Sequence, residues 1–160
     1  MKHDFVKYLN PVFIETGSYM GEGIQGAINS GFKEIHSIEL MYKFWQHCRK
    51  RFRRYDYVNI WLGHSEQWLP IILREINKRC TFWLDAHYSG GDTGETYPIL
   101  KELEIIKDHH IKEHTILIDD MRLFRKGYGG ISAEDIKESL KGYDISYEYG
   151  VAENDILIAT

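Results

Sequence analysis

Val12-Phe13-Ile14-Glu15-Thr16-Gly17-Ser18-Tyr19-Met20-Gly21-Glu22-Gly23 is the stretch on which the fold turns. Three apolar residues, two of them β-branched, run into an acid and then into a turn with glycine at 17, 21 and 23. Such a run bounded by turn residues reads as a buried strand. The glycines permit the positive φ and close backbone approach of a tight strand-to-helix turn. Their spacing, Gly-x-x-x-Gly-x-Gly, is not the Gly-x-Gly-x-x-Gly that seats a dinucleotide pyrophosphate. An acid two positions before the first glycine repels phosphate and suits a cationic or amino-bearing ligand.

Working outward, the same rhythm repeats. A helix over 21–30 is stopped by Gly31, and a strand over 34–39 follows. Phe44, Cys48 and Phe52 recur at helical spacing, ahead of a strand over 57–62. Ser65 is placed to cap a helix carrying Trp68, Leu69, Ile72 and Ile76, with Pro70 in its first turns. Strands over 81–85 and 115–119 flank a helix over 97–107, and Ser132 caps a helix over 133–140. Strands over 145–149 and 156–159 are joined closely enough to make a hairpin. Strands alternating with helices predict an α/β fold, a doubly wound sheet of about seven strands, mostly parallel with an antiparallel C-terminal hairpin.

Composition bounds the partners. The chain has 160 residues, 43% hydrophobic and 28% charged, which fits one domain over 1–160. No run approaches the ~20 apolar residues of a membrane span, and the first residues lack a secretory apolar core. Two cysteines, Cys48 and Cys80, exclude a disulfide scaffold and suit a reducing, cytoplasmic setting. A net charge of −4 gives no general attraction for nucleic acid.

In an open parallel sheet ligands lie beyond the carboxyl ends of the strands, so the residues after each strand carry the chemistry. Glu39 ends the second strand 22 residues after Gly17 (39 − 17), the distance at which an acid accepts ribose hydroxyls. The alternative is a solvated strand-end carboxylate. The first motif together with Ile35-His36-Ser37-Ile38-Glu39 resembles motifs I and II of class I S-adenosylmethionine (SAM)-dependent methyltransferases. The resemblance runs over nearly the whole chain and implies a Rossmann-like sheet. It makes Glu15, Gly17, Ser18 and Gly21 the methionine-side cofactor residues and Glu39 the ribose acid. The family often has an acid near the adenine after strand three, where this chain has Leu62-Gly63-His64-Ser65. Ser65 either contacts adenine or only caps its helix.

Two further strand ends are acidic: Asp85, followed by His87, and the pair Asp119-Asp120. Three converging carboxylates repel unless cationic charge is present, and a hard divalent ion with oxygen ligands supplies it. The blander reading gives each a local cap or solvent. Asp85 with Asp119 and Asp120 looks like the ligand set of metal-dependent O-methyltransferases, closer to the macrocin type than the catechol type. The resemblance implies Mg2+ or Mn2+ on these three and both a catalytic and a cofactor-binding role for Asp85. His87 is the candidate general base, since imidazole titrates near neutrality. Its alternatives are a loop hydrogen bond or a metal-ligand role beside Asp85. His109, His110 and His114 lie in a charged connection and are expected to face water. Residues 88–94, with Arg122, Arg125 and Tyr128 of the facing loop, are candidate acceptor contacts. The basic run at 49–54 reads as a solvated helix face.

The reading is a minimal SAM-dependent methyltransferase acting on a hydroxyl of a small molecule or glycan. The alternatives are a SAM-binding sensor or accessory subunit without transferase activity, or a nucleic-acid methyltransferase using residues 49–54. The core takes up the chain from about residue 12, so the acceptor site must come from the strand-four and strand-five loops, from a second copy in a homodimer, or stay open to a large acceptor.

Overall fold

The computed structural model describes residues 4–86 and 97–160. A 3-10 turn, Val6–Tyr8, leads into β1 (Val12–Thr16), α1 (Glu22–Ser30), β2 (Ile35–Glu39), α2 (Tyr42–Arg51) and β3 (Val58–Leu62). Then come α3 (Ser65–Glu75), β4 (Cys80–Leu84), α4 (Ile99–Asp108), β5 (Thr115–Ile118) and the single turn α5 (Met121–Phe124). The chain ends with α6 (Ala133–Ser139), β6 (Ile145–Glu148) and β7 (Ile156–Ala159). The strands form one sheet in the order β3-β2-β1-β4-β5-β7-β6. β1 to β5 run parallel, and β7 lies antiparallel between β5 and β6. This is the doubly wound sheet with an antiparallel terminal hairpin that the sequence predicts. Its order reverses between β1 and β4, which is where a crevice opens beyond the carboxyl ends.

Both faces of the sheet are covered, so β1 is buried along its whole length. Alternate residues serve opposite layers. Val12 and Ile14 pack with Leu69, Ile72, Leu103 and Ile106 of α3 and α4, while Phe13 packs with Ile24, Ala27 and Phe32 on the α1 side. Gly31 ends α1 at φ 100°, its N–H reaching the Ala27 carbonyl. A reciprocal capping box between Ser132 and Asp135 opens α6. Among the described residues no helix is long and apolar enough to cross a membrane.

The structure corrects several local expectations. Ser65 does not cap α3: it is the first helical residue, His64 occupies the cap position without a side-chain bond, and Ser65 is buried. Its side chain lies near the carboxyl of Glu102 on α4 and lowers the pKa of that buried group. Pro70 falls in the first turns of α3, as its sixth residue, and it and Glu66, whose carbonyl it leaves free, are exposed to water. α4 starts at Ile99, with Pro98 at its cap. Part of the loop after β5 is helical, because Asp155, just before β7, accepts the Arg122 N–H at 3.0 Å and its carbonyl accepts that of Met121 at 2.9 Å.

His109 and His114 do not face water; both are buried, and only His110 is exposed. The Cys80 N–H donates to His114 Nδ1 at 3.0 Å. The His114 proton must therefore sit on Nε2, which lies 2.9 Å from His109 Nδ1. His109 Nε2 in turn reaches the Leu73 and Ile76 carbonyls at 3.0 Å each. The pair pins the end of α3 to the starts of β4 and β5.

Candidate active site

The turn after β1 is fixed by two close approaches. Gly17 has φ 86°, and a Cβ there would lie 2.7 Å from the Asp85 carbonyl oxygen. The turn is thus seated on the end of β4, where the Asp85 N–H also donates to the Thr16 carbonyl at 3.1 Å. A Cβ on Gly23 would lie 1.8 Å from Glu15 Oε1, so the first turn of α1 rests on the Glu15 carboxyl. Glu15 is 1% exposed. The Ser37 hydroxyl donates to it, and the Ser18 hydroxyl lies 2.5 Å from that of Ser37. Burial pushes the Glu15 carboxyl well above the usual carboxylate range; the Ser37 bond opposes this, and the like charges of Asp85 and Glu39 add to it.

Glu39 ends β2 beside this turn. Its two oxygens accept the N–H groups of Tyr19 at 2.8 Å and Met41 at 2.7 Å, which orients the carboxyl and leaves lone pairs for another donor. Burial raises its pKa, and these backbone bonds pull the other way. Holding Tyr19 in this contact places a non-glycine residue at φ 44°. Gly21, expected among the cofactor residues, is the cap of α1 and packs against Phe52 and Cys48.

The expected metal residues converge in part. Asp119 is half-buried at the end of β5, its N–H bonded to the Leu84 carbonyl at 3.1 Å and its Oδ1 accepting the Asp120 N–H at 2.8 Å. Burial, with the charges of Asp85 and Asp120, raises its pKa to about 7. Carboxylate oxygens of Asp119, Asp120 and Asp155 lie within 4.8 Å of one another. Asp85 stands outside that group of three, but its charge acts on both Asp119 and Glu15. Asp155 escaped sequence reasoning because nothing local distinguishes it from a hairpin-turn acid. It is fully buried, and the Arg122 guanidinium bridges it to Asp120. Arg125 is likewise bonded to the carbonyls of Glu153 and Asn154, so both arginines expected to meet an acceptor hold the hairpin instead. His87 and the 88–94 loop lie outside the described residues.

Three further polar groups were missed. Ser37 is a fully buried hydroxyl at the centre of β2. Glu102 stands in the apolar stripe of α4 with Ile99, Leu103 and Ile106, a mismatch visible in the sequence. Thr16 ends β1 with a buried hydroxyl that has no hydrogen-bond partner among the described residues. The basic run at 49–54 is exposed save for Phe52, and Arg51 is engaged by Glu22 at 2.6 Å and by the Met20 carbonyl.

No family model matches the chain, and no curated protein does. Solved structures do. The SAH-bound methyltransferase PaMTH1 of Podospora anserina superposes over 97% of this chain and 73% of its own, with TM-score 0.68 and 14% identity. An O-methyltransferase of Bacillus cereus in complex with SAH matches over 97% and 75%, with TM-score 0.69 and 14% identity. The O-methyltransferase TomG of Streptomyces achromogenes, involved in tomaymycin synthesis and solved with SAM, matches over 97% and 74%, with TM-score 0.69 and 12% identity. Strand order, terminal hairpin and these superpositions agree: the chain has the fold of the class I SAM-dependent methyltransferases.

Proposed function

We propose that this chain, acting as a single minimal domain, is a SAM-dependent methyltransferase whose acceptor is a hydroxyl on a small molecule or glycan. The observation that carries the reading is the acidic crevice at the switch point, where Glu15 is buried among the like charges of Glu39 and Asp85. Like charges gathered in a dry crevice favour a cationic occupant, and the sulfonium and ammonium groups of SAM supply one. Glu39 receives the ribose hydroxyls; Glu15, Gly17 and Ser18 shape the methionine side. Holding the methyl carbon in line with an acceptor oxygen supplies the proximity that transfer needs.

Asp119, Asp120 and Asp155 bring carboxylate oxygens within 4.8 Å of one another, and together with Asp85, whose charge acts on Asp119, they would offer a hard oxygen donor set for Mg2+ or Mn2+. A bound ion would lower the pKa of the acceptor hydroxyl. His87 is the alternative proton acceptor. A binding protein without transferase activity is the second reading, favoured by Arg122 already bridging Asp120 and Asp155. A second copy of the chain is one way to complete the acceptor side.

Calorimetry with S-adenosylhomocysteine tests the reading. The wild type binds, and Glu39→Ala weakens binding at least ~10-fold through loss of the ribose bonds. Absence of wild-type binding overturns the reading. For the ion, Mg2+ or Mn2+ raises the Tm of the wild type and not of Asp119→Asn; equal response of both removes the metal.

A further inference from the structure

Of the ten residues of α2, Cys48 alone is buried. Its largest apolar side chains, Phe44 and Trp45, stay partly exposed, and Tyr42 at its start is 59% exposed. Tyr19 of the turn after β1, 60% exposed, packs on Phe44 with ring centroids 4.6 Å apart. Tyr42 in turn lies 5.6 Å from Trp45, and the Arg49 guanidinium, four residues on, covers the Trp45 ring at 5.6 Å. Trp45 Nε1 donates to the Ile60 carbonyl of β3 at 3.0 Å, which holds its ring against the edge strand of the sheet. Exposed aromatic side chains gathered in one patch mark an interaction surface.

Charge identifies the partner. Residues 41–55 hold six Lys and Arg and no acid, so the net −4 of the chain is +6 here and −10 (−4 − 6) elsewhere. Lys43 and Lys50, with His47 between them, recur at spacings of four and three on the side of α2 away from Cys48, and all three are exposed. Arg53 and Arg54, also exposed, carry the basic stretch past the end of the helix. Arg51 is paired with Glu22, but among the described residues Arg49, Lys50, Arg53 and Arg54 form no ion pair. We propose that this face of α2, with Tyr19 and Tyr42, docks a single strand of nucleic acid, its phosphates along the basic row and its bases against the rings. The inference concerns a binding surface and is independent of the cofactor reading above.

The chemistry of the patch separates this occupant from other polyanions. A duplex offers phosphates but keeps its bases stacked inside, so it leaves Tyr19 and Tyr42 unused. An anionic membrane takes up apolar side chains that are free to enter it. Here the Trp45 ring is tied to β3, and the most exposed rings of the patch are tyrosines, which end in hydroxyls. An unpaired base presents a π-face to any aromatic ring, and cations beside the rings add affinity through the backbone without sequence preference. Tyr19 joins the patch to the rim of the crevice, since its N–H donates to Glu39 at 2.8 Å. The acids of the crevice repel phosphate, which keeps a bound strand on α2 and off the ends of β4 and β5.

Fluorescence anisotropy with short labelled oligouridylate and oligodeoxythymidylate tests this. The wild type binds at least one of them at low salt with a Kd below ~100 µM, and log K falls against log salt with a slope of about −2 to −3. The double variant Lys50→Glu, Arg54→Glu weakens binding ~10-fold or more and flattens that slope by about 1.4. Tyr42→Ala weakens binding ~5-fold or more, while Tyr42→Phe, which keeps the ring, stays within about twofold of the wild type. A duplex of equal length binds more weakly than the strand. All three positions are exposed, and thermal unfolding checks that each variant is folded. Failure of the wild type to bind either strand overturns the inference, including when it is captured by phosphatidylserine vesicles instead. So does a Tyr42→Ala protein or a charge-reversed protein that binds like the wild type, or a duplex bound as well as the strand.

Discussion

Gly23 has no room for a side chain, since the Glu15 carboxyl already occupies the place where a Cβ would go. Gly23→Ala must push either α1 or Glu15 aside, so its chemical-denaturation midpoint falls by the equivalent of ~1–3 kcal/mol and SAH binding weakens with it. Asp119 makes a different prediction. Its pKa is raised from an ordinary 3.8 to about 7, so its ionisation opposes folding. Its contribution is full below pH 3.8 and is lost as pH rises through about 7. In metal-free buffer Asp119→Asn therefore unfolds ~2–4 °C above the wild type at pH 8, and the gap narrows toward pH 5. A scan of Tm against pH for the two proteins checks this. Glu15, Glu39, Asp85 and Asp119 were all legible in the sequence, because an acid closing an apolar run stands out. Asp155 and Thr16 were not: a turn acid and a strand threonine are common, and only the fold tells which ones are buried.

At the scale of elements, the histidine pair ties α3 to β4 and β5 at the end of the sheet away from the crevice. Burial, with the neighbouring His109, Lys112 and His110 side chains adding to it, lowers the His114 pKa from 6.5 to about 4, a backbone bond to Ile111 opposing. Its neutral form is thus the one the fold holds, since a proton on Nδ1 would meet the Cys80 N–H. The stability it contributes is present above pH 6.5 and is lost as pH falls through about 4. His114→Gln, which titrates nothing in that window, removes this slope from the Tm profile. At the far end of the chain, Ser132→Ala breaks the capping box of α6 and lowers stability by ~1 kcal/mol in urea titration. That cap was readable from Ser132 and Asp135 alone. The failed cap at Ser65 was not: a serine before an apolar helix looks the same whether its hydroxyl meets its own backbone or its side chain lies near a carboxyl of another helix.

For the molecule as a whole, the strand count, the direction of each strand and the terminal hairpin followed from alternating periodicity. The order of the sheet followed only through the family resemblance, because periodicity identifies strands and not neighbours. The residue pattern also left open which acids would share a site, since β7 brings Asp155 beside β5 from 35 residues beyond Asp120 (155 − 120). The Arg122 bridge has a consequence for how such a site responds. The chain carries its own competitor, a guanidinium already seated between Asp120 and Asp155. Any cation that takes Asp120 must exchange with it, so affinity for added ions reflects a difference between two cations rather than attraction to bare carboxylates. Exchange also frees the contact between the β5 end and the terminal hairpin, which makes the hairpin the reporter of occupancy: amide hydrogen exchange at 151–155 should change when the site fills, although no ligand touches those amides.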